Sequence, residues 1–407
     1  MHVVMFADQH LESLGGAQVS MRLQKRFLER AGHVVTVVAP RLARPGAHDP
    51  AYLDLPSIAI TPDREYALTW PGVRTDRFLD AEMGARLPVD VVHVQADFWG
   101  AFIGHRYAAR HALPVVHTMH NRVDVGIEAT APFPGLVLRA LNAWARRALP
   151  RAASGRTAQN PTSSARSRTD GWAFLHQLAR LSRAVTAPSG HFARRLERHG
   201  VASRVDVIWN GIDDDVLDAA LAAGPAVRAE GRPRFIWLGR MSPEKRLLPF
   251  LEAVVASGID AEVEVVGGGA ELGKATRLIE RAAPRATVTF AGRLSYPETL
   301  ARLAAADAVV QTSIGFETQG MTVFEAASLG TPAVVSDPDI AAELGSGTWT
   351  VADATTAALA EALARAASDI TAGTPVVPDP SIAERFRQSS RTGAMVAVYE
   401  RAVAAGR

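Results

Sequence analysis

Residues 308–332 read AVVQTSIGFETQGMTVFEAASLGTP, in which a β-branched run is followed by a glycine-containing turn and a helix-forming segment. The run Ala308–Thr312 predicts a buried strand. Gly330 and Pro332 end the following helix, so we expect that helix to begin near Gly320. A strand that leads through a turn into a helix is the building unit of a parallel α/β sheet.

The start of this helix has the chemistry of an anion-binding site. The first amides of a helix have no intrahelical acceptor, so we expect those of Gly320, Met321 and Thr322 to point at an anion, with the helix dipole adding to the attraction. Glu325 lies more than one turn inside the helix and is expected to reach ribose hydroxyls. Glu317 precedes the helix, beside whatever group the phosphate carries. The segment therefore predicts a nucleotide site.

The same alternation of strand-like and helix-like segments runs along the whole chain and predicts an α/β architecture with parallel sheets. Near-continuous valine and isoleucine in the strands indicates that helices cover both faces. A polar turn and a small-residue segment at 211–233 join two such domains. The expected strands are His2–Ala7, His33–Ala39, Asp90–Gln95, Pro114–Thr118, Arg183–Ala187, Val205–Trp209, Arg234–Leu238, Glu262–Val266, Ala286–Phe290, Ala308–Thr312 and Ala333–Ser336.

The composition narrows the class of protein. A chain of 407 residues with 48% hydrophobic content corresponds to two or three folded domains. Its 44 basic and 42 acidic residues are nearly balanced, which argues against a nucleic-acid binder that depends on bulk positive charge. The absence of cysteine excludes disulfides, thiolate nucleophiles, cysteine zinc sites and iron–sulfur clusters. Without a basic leader or an apolar run of about 18 residues, we expect a cytoplasmic protein.

Two cations follow the expected strand Arg234–Leu238. Gly239 and Arg240 come directly after this strand, and Lys245 follows five residues later. Open α/β sheets bind ligands at the carboxyl ends of their strands, and two cations there can clamp a diphosphate and stabilise a leaving group. A solvated cationic loop is the alternative. Lys245 weighs against it, because the chain contains only three lysines.

Two further positions in the first half are candidates for ligand contact. Gly15 and Gly16 follow the first strand and precede a helix, which suits either phosphate binding by backbone amides or a tight turn with a structural role. His120 lies just past the strand Pro114–Thr118, where it can meet a substrate or serve the core. The glycine pattern lacks the full G-x-G-x-x-G, which argues against NAD binding.

In their order along the chain, these motifs resemble glycosyltransferase family 4, the retaining sugar-nucleotide enzymes with the GT-B fold of two Rossmann-like domains facing a cleft. The resemblance extends along nearly the whole chain, and the Glu-x7-Glu segment with its Arg and Lys is specific to that superfamily. The matching motifs are Gly15-Gly16, Thr118-x-His120, Asn210-Gly211-Ile212-Asp213, Gly239-Arg240-x4-Lys245 and Glu317-x7-Glu325.

The resemblance implies a role for each charged or polar residue of these motifs. Arg240 and Lys245 would hold the donor diphosphate. Glu317 would contact the transferred sugar and Glu325 the nucleotide ribose, while His120 would lie on the far side of the sugar. Gly15, Gly16, Gly239 and the start of the helix at Gly320, Met321 and Thr322 would complete the donor site.

The resemblance also implies that the two domains bind different substrates. Residues 1–214 would bind the acceptor and be completed by a C-terminal helix at 385–407, while residues 215–384 would bind the nucleotide sugar. Asp337-Pro338-Asp339 reads as a turn and not as a metal-binding Asp-x-Asp motif, so cations and helix amides are expected to replace a metal. No metal and no cofactor are expected beyond the nucleotide sugar as co-substrate.

A basic stretch in the first half bears on the acceptor. The stretch Ala129–Thr169 has no acidic residue, and leucines with Trp144 give it an apolar side. Residues 136–168 are expected either to lie on an anionic membrane or to form an ordinary amphipathic helix followed by a loop. The segment Glu317–Thr322 is similar to that of bacterial diacylglycerol glucosyltransferases, which favours the membrane. The basic residues are Arg139, Arg146, Arg147, Arg151, Arg156, Arg166 and Arg168.

The resemblance implies a retaining enzyme that transfers glucose or mannose from UDP-glucose, GDP-mannose or a similar donor to a hydroxyl group. We expect a membrane lipid such as diacylglycerol or a phosphoinositide as acceptor, and a peripheral position on the inner face of the cell membrane. The alternatives are a soluble sugar or cyclitol acceptor, a GT-B sugar-nucleotide epimerase, and a nucleotide-binding scaffold without turnover.

Overall fold

The computed structural model describes residues 1–13, 16–42, 49–61, 64–150, 170–223 and 231–405. The chain divides into two compact units, one of Met1–Gly211 with Arg391–Arg407 and one of Ile212–Ser390. The sequence predicts the boundaries between these units at 214/215 and 384/385. Of the expected site residues, Gly15 lies outside the described part of the chain, as do four of the seven arginines of the basic stretch, namely Arg151, Arg156, Arg166 and Arg168.

The described part of the first unit forms a seven-stranded parallel sheet flanked by helices. Its strand order is β3-β2-β1-β6-β7-β8-β9, and β4 and β5 form a separate antiparallel pair. The strands are β1 His2–Ala7, β2 Val34–Pro40, β3 Tyr52–Leu55, β4 Ile58–Ala59, β5 Ala67–Leu68, β6 Val91–Gln95, β7 Val115–Thr118, β8 Ala184–Ala187 and β9 Asp206–Val207. The helices are α1 Gly16–Arg30, α2 Val73–Met83, α3 Trp99–Arg110, α4 Val123–Thr130, α5 Pro134–Ala148, α6 Gly171–Ala179 and α7 Gly190–Arg198.

The described part of the second unit contains a six-stranded parallel sheet with the order β12-β11-β10-β13-β14-β15. The strands are β10 Arg234–Arg240, β11 Glu262–Gly268, β12 Thr287–Gly292, β13 Ala308–Gln311, β14 Ala333–Val335 and β15 Thr348–Thr350. A 3-10 turn spans Pro243–Lys245. The helices are α8 Asp214–Ala223, α9 Leu247–Ser257, α10 Leu272–Ala282, α11 Tyr296–Ala305, α12 Met321–Ser328, α13 Pro338–Leu344, α14 Thr356–Thr371, α15 Ser381–Phe386 and α16 Gln388–Ala404, the last extending into the first unit.

Burial on both faces explains the continuous apolar character of the strands. All six residues of β1 are buried, and because side chains alternate along a strand, its two faces belong to different cores. Phe6 packs in a core with Phe102 of α3. Met5 belongs to a second core that includes Leu28 of α1 and Tyr399 of α16. The C-terminal helix therefore supplies part of the first unit's core.

The two sheets confirm the α/β prediction of doubly wound parallel sheets. Each expected strand is present, although the one expected at Val205–Trp209 is reduced to Asp206–Val207. The sequence did not indicate β15 or the short strands β3, β4 and β5, which have two to four residues each. Among the described residues, no helix has the length and apolar character needed to cross a membrane.

Candidate active site

The sheet order of the second unit places a ligand crevice between β10 and β13. These strands are hydrogen-bonded neighbours, yet the chain continues from β10 towards one edge of the sheet and from β13 towards the other. Connections that leave in opposite directions open a space at the carboxyl ends of the two strands, where α/β sheets bind ligands. Arg240 ends β10, and Thr312 and Ser313 follow β13.

A small cavity of about 50 Å³ lies at this point. Of the two cations predicted to clamp the diphosphate, Lys245 contributes to the cavity from the loop after β10 and Arg240 does not, while Glu317 contributes from the loop after β13. It is lined by Trp237, Leu238, Lys245, Val310, Gln311, Thr312, Ser313, Glu317, Gly320, Met321 and Thr322. Five of the predicted site residues therefore meet in one place, namely Lys245, Glu317, Gly320, Met321 and Thr322.

Lys245 and Glu317 form an ion pair in this cavity. The ammonium group of Lys245 donates a hydrogen bond to Oε1 of Glu317, which also accepts one from Oγ of Ser313 at 2.8 Å. Oγ1 of Thr312 donates to the carbonyl oxygen of Lys245 at 2.6 Å and fixes the loop. The side chains of the pair are 23% and 18% exposed, so a bound anion can reach the cation.

Arg240 has a different environment from Lys245. Its side chain is 66% exposed and its Nη2 donates to Oε1 of Glu244 at 2.8 Å. Burial acts to raise the pKa of Glu244, but hydrogen bonds from Ser242, from its own backbone and from Arg240 outweigh burial and lower it. Arg240 is not part of the cavity lining. Gly239 precedes it as the penultimate residue of β10, in register with Gly267 of β11.

The helix after β13 begins where the sequence predicted. Gly320 is the residue before α12 and has a φ of 81°, a left-handed conformation that favours glycine. A Cβ atom at this position would lie 2.8 Å from Cδ1 of Ile340. Met321 and Thr322 form the first turn of α12 beside the cavity, so the positive end of the helix dipole is directed at any anion bound there.

Glu325 lies deeper in α12 than its predicted role suggested. Its side chain is 7% exposed and is not part of the cavity lining. Burial raises its pKa from 4.5 to about 7, and the nearby Tyr296 hydroxyl opposes this only in part. That hydroxyl is itself buried, and none of the described residues lies in ordinary hydrogen-bond geometry to it. Contact between Glu325 and a ribose stays a prediction.

Asp337 has a structural role, but it caps a helix and does not lie in the turn that the sequence predicted, because Pro338 and Asp339 begin α13. Its Oδ1 accepts from the amide of Asp339 and caps α13, while its Oδ2 accepts from the amide of Gly315 at 2.7 Å. It thus holds the loop that precedes α12. Within the ranges that the structure describes, no cluster of three or more histidine, aspartate or glutamate side chains is arranged to hold a metal ion.

His120 lies at the carboxyl edge of the first sheet. It follows β7 and is partly exposed. Its Nε2 is 3.2 Å from Oε1 of Gln95 and its amide donates to Oδ2 of Asp97, also at 3.2 Å. Burial lowers the pKa of His120, Asp97 opposes this shift and His117 adds to it. The ring is therefore neutral at neutral pH. At Gly16, the first residue of α1, a Cβ would meet no atom of the described residues within 4 Å.

Several polar residues of these sites were missed by sequence reasoning. In the second unit they are Gln311, Thr312 and Ser313, which line the cavity. In the first unit they are Gln95 and Asp97, which contact His120. Each set directly follows or ends a buried strand. Polar residues at the end of an apolar run are therefore the signal that would have found them.

Comparison with known protein families agrees with the fold. Residues 14–216 match the family described as Glycosyltransferase Family 4, and residues 224–372 match the family described as Glycosyl transferases group 1. The two matched segments contain His120 and all the charged residues of the second site. They end before α15 and α16.

Two curated relatives align with most of the chain. One is the alpha-monoglucosyldiacylglycerol synthase of Streptococcus pneumoniae, 23% identical over 82% of this chain and 70% of the relative. The other is the GDP-mannose-dependent alpha-mannosyltransferase of Mycolicibacterium smegmatis, 27% identical over 83% of this chain and 80% of the relative.

Solved structures share the fold over the full length. The HepE protein of Anabaena in complex with UDP superposes with a TM-score of 0.66 at 15% identity, covering 98% of this chain and 100% of that one. The sucrose-phosphate synthase of Thermosynechococcus elongatus gives 0.67 at 17% identity, with both chains fully covered. These likenesses establish the GT-B fold. The protein therefore belongs to glycosyltransferase family 4 and is a retaining, nucleotide-sugar-dependent glycosyltransferase.

Proposed function

We propose that this enzyme transfers glucose or mannose from a nucleoside diphosphate sugar to a lipid hydroxyl at an anionic membrane surface. The second unit would bind the donor and the first unit the acceptor. The observation that carries the donor half is the cavity at the β10/β13 crevice, which combines Lys245, Glu317 and the start of α12. A cation and a helix N-terminus suit a diphosphate, and a neighbouring carboxylate suits sugar hydroxyls.

The proposed reaction needs no protein nucleophile. The bond between the anomeric carbon and the diphosphate oxygen breaks, and the acceptor oxygen forms a bond to the same face of that carbon. The acceptor proton passes to an oxygen of the leaving diphosphate. Lys245, with Arg240 and the amides of Met321 and Thr322, would stabilise the negative charge that develops on the diphosphate. The proposal assigns this charge stabilisation to the protein and requires no metal.

The choice of hexose rests on the relatives. One is named for a glucosylated diacylglycerol and the other for GDP-mannose, while a neighbouring structure was solved with UDP. Glucose and mannose therefore remain the proposed sugars and UDP and GDP the proposed carriers. A panel of UDP-glucose, UDP-galactose, GDP-mannose and GDP-glucose in a thermal-shift assay decides among them, since a ligand at 100 times its Kd stabilises by about 2.7 kcal/mol.

The lipid half of the proposal rests on one surface of the first unit, which we name the α5 surface. It consists of the exposed apolar residues Trp70, Phe133, Leu136 and Val137 and the exposed basic residues Arg139, Arg146 and Arg147. Trp70, Phe133 and Leu136 are 66%, 67% and 62% exposed. Trp70 stacks on Trp144 of α5 with ring centroids 5.3 Å apart and so belongs to the same surface.

Part of the apolar side of α5 packs inward, as in the alternative of an ordinary amphipathic helix. Leu138 and Leu149, two of the leucines that give the stretch Ala129–Thr169 its apolar side, are buried in the core of the first unit. Leu141 and Trp144 pack partly against the same core, whereas Leu136 is exposed. α5 therefore packs one side inward and presents a second apolar side with arginines beside it. Large apolar and basic side chains together suit the headgroup region of an anionic bilayer.

Transfer assays with purified protein test the proposal. The donor chosen by the thermal-shift panel is offered with diacylglycerol or phosphatidylinositol in anionic vesicles, with the same lipids in neutral vesicles, and with soluble sugars and cyclitols. We expect a glycolipid product, formed faster on anionic vesicles. Transfer to a soluble acceptor at full rate would contradict the proposed lipid acceptor and leave the proposed nucleotide-sugar donor standing. Conversion of the donor to an epimer without any acceptor would contradict both.

A further inference from the structure

A buried line of polar side chains leads to His120. Oε1 of Gln95 is 3.2 Å from Nε2 of His120, and Nε2 of Gln95 donates to Oε1 of Gln24 at 2.6 Å. Nε2 of Gln24 is 3.4 Å from the hydroxyl of Tyr399, which is 2.7 Å from Nδ1 of His93. Apart from His120, these residues are less than 9% exposed. The line joins β6, α1 and α16 within the first unit.

The donors and acceptors of this line all run in one direction. Nε2 of Gln95 also lies 3.4 Å from Nδ1 of His93, and because an amide nitrogen only donates, Nδ1 of His93 is an acceptor. The hydroxyl of Tyr399 therefore donates to it, and the ring proton of His93 lies on Nε2, 2.7 Å from Oγ1 of Thr118. The hydroxyl oxygen of Tyr399 then accepts from Gln24, and the carbonyl of Gln24 accepts from Gln95. Only the carbonyl oxygen of Gln95 is left to face His120. An amide carbonyl oxygen can only accept, so the proton must lie on Nε2 of His120.

We infer that Gln95 is a positioning residue that holds His120 as the neutral tautomer protonated on Nε2, which leaves Nδ1 as an acceptor for a substrate hydroxyl. Nδ1 makes no hydrogen bond to the described residues and is not a buried atom. The tautomer depends only on the contacts of the first unit. Its contact with substrate rests on the proposed function.

The surroundings of the ring are consistent with a neutral imidazole. Asp97 is the acidic group that faces His120, and it already accepts from the amides of His120 and Asn121 and from Nδ2 of Asn121. His117 and His93 face it from β7 and β6, and both are fully buried. A protonated His120 would stand beside these two imidazoles and a carboxamide, and among the described residues no carboxylate contacts its ring.

A neutral acceptor differs in function from a cation. Nδ1 with a lone pair accepts a hydrogen bond from a sugar or acceptor hydroxyl but cannot stabilise a developing negative charge. In the proposed reaction His120 would therefore orient a hydroxyl, while the cations of the other site stabilise the diphosphate. Gln95 would act through His120 and would touch neither substrate.

The test is the ring nitrogen spectrum of protein labelled with ¹⁵N-histidine, with His120→Asn used to assign the His120 signals. We expect wild-type protein at pH 7.5 to show a protonated Nε2 and an unprotonated Nδ1. Gln95→Glu places a carboxylate beside Nε2 and should raise the pKa of His120 by about one to three pH units. Gln177→Glu, the same change at a glutamine of α6 that bonds Asn142, should leave it unchanged.

Three results would overturn the inference. The first is a proton on Nδ1 in the wild-type protein, a measurement that requires no variant to fold. The second is a His120 pKa that responds equally to the two glutamate substitutions. The third is a combination of two kinetic results. In it, Gln95→Glu has the same pH dependence of kcat/KM as the wild-type enzyme, and Gln95→Met, which removes the acceptor, has the same activity. The spectra decide the tautomer even if no transfer to any acceptor is found. Failure of the proposed function is therefore distinguishable from failure of this inference.

Discussion

Lys245 and Glu317, 72 residues apart in the chain, form an ion pair between the loops that follow two adjacent strands. Each strand ends at the same edge of the sheet, so the fold brings together a cation and an acid that no local pattern links. A phosphate bound in the cavity must share the ammonium group with Glu317. Because of this competition, mutation of Lys245 and mutation of Glu317 should have different effects on phosphate binding.

Lys245→Ala is expected to lower kcat by more than it raises the donor KM, because the ammonium group acts mainly on charge that develops as the glycosidic bond breaks. Loss of one preorganised stabiliser costs roughly 2.7–4 kcal/mol, or about 100- to 1000-fold in rate. Arg240→Ala should act in the same direction with a smaller effect, since Arg240 is more exposed and shared with Glu244.

The control for this prediction is Lys274→Ala, the same change at an exposed lysine of α10. Steady-state kinetics of the three variants are compared at saturating acceptor. A Lys245→Ala enzyme with the kcat of Lys274→Ala would show that the cation contributes nothing to the chemical step.

Glu317→Ala should leave binding of the free nucleoside diphosphate largely intact and damage transfer, whereas Glu325→Ala should weaken that binding. Removal of Glu317 frees Lys245 for the phosphate, and the sugar that Glu317 is proposed to contact is missing from the free diphosphate. Glu325 is proposed to reach the ribose, which is present. Isothermal calorimetry measures both affinities. Equal losses in the two variants would mean that the roles along α12 are assigned wrongly.

The buried carboxyl group of Glu325 should make stability depend on pH. Burial raises its pKa from 4.5 to about 7, so between these values the folded state binds more protons than the unfolded state. The free energy of unfolding must then fall as the pH rises through this window. Relative to Glu325→Gln, wild-type protein should lose about 3 kcal/mol between pH 4.5 and 7.5.

Denaturant unfolding of both proteins across this range measures the difference, with Glu280→Gln as the matched change at an exposed position of α10. Other titrating groups affect all three proteins alike and cancel in the comparison. A wild-type curve parallel to that of Glu325→Gln would contradict a raised pKa at this site.

Gly320→Ala should cost more stability than Gly330→Ala, although both residues have a φ of 81°. Each alanine is strained by about 1–2 kcal/mol in this conformation. At Gly320 the added Cβ also lies 2.8 Å from Ile340, whereas at Gly330 it meets nothing within 4 Å. Gly320→Ala should in addition weaken nucleotide binding, because the start of α12 must shift. Unfolding curves and calorimetry on the two variants test both statements.

The parts of this molecule that the sequence predicts are those fixed by local chemistry. The start of α12 follows from the helix stop at Gly330 and Pro332, and the strands of the two sheets follow from apolar runs that must be covered on both faces. The short edge strands β3 and β15 were missed because three or four residues carry no periodicity.

The parts that the sequence does not predict depend on contacts between distant residues. Spacing places Glu325 on α12, but its depth depends on α11, which carries Tyr296. The pairing of Arg240 with Glu244 depends on the conformation of a loop. The alignment of His93 with Tyr399 joins residues 306 apart. In the sequence, polar residues that such contacts bury look the same as polar residues that merely interrupt an apolar segment.

The α5 surface should bind anionic membranes. Each arginine near a surface of anionic lipid contributes about 1 kcal/mol, so Arg139, Arg146 and Arg147 together contribute about 3 kcal/mol, or roughly 100-fold in partitioning. Binding to vesicles should rise with the fraction of anionic lipid. It should fall with added salt, because the screening length shortens to about 8 Å at physiological ionic strength.

Replacing these three arginines with Gln should weaken binding to anionic vesicles, measured by co-sedimentation, roughly 100-fold and spare nucleotide binding, which is assigned to the other unit. The charge-matched control replaces Arg180, Arg194 and Arg198, exposed arginines of the same unit, with Gln. Because the net charge changes equally in the two triple variants, any difference in their vesicle binding is due to the position of the arginines. Trp70→Ala and Leu136→Ala should weaken the remaining, salt-resistant part of binding. If the control triple variant loses as much binding as the α5 variant, attraction is a property of overall charge and the α5 surface has no special role.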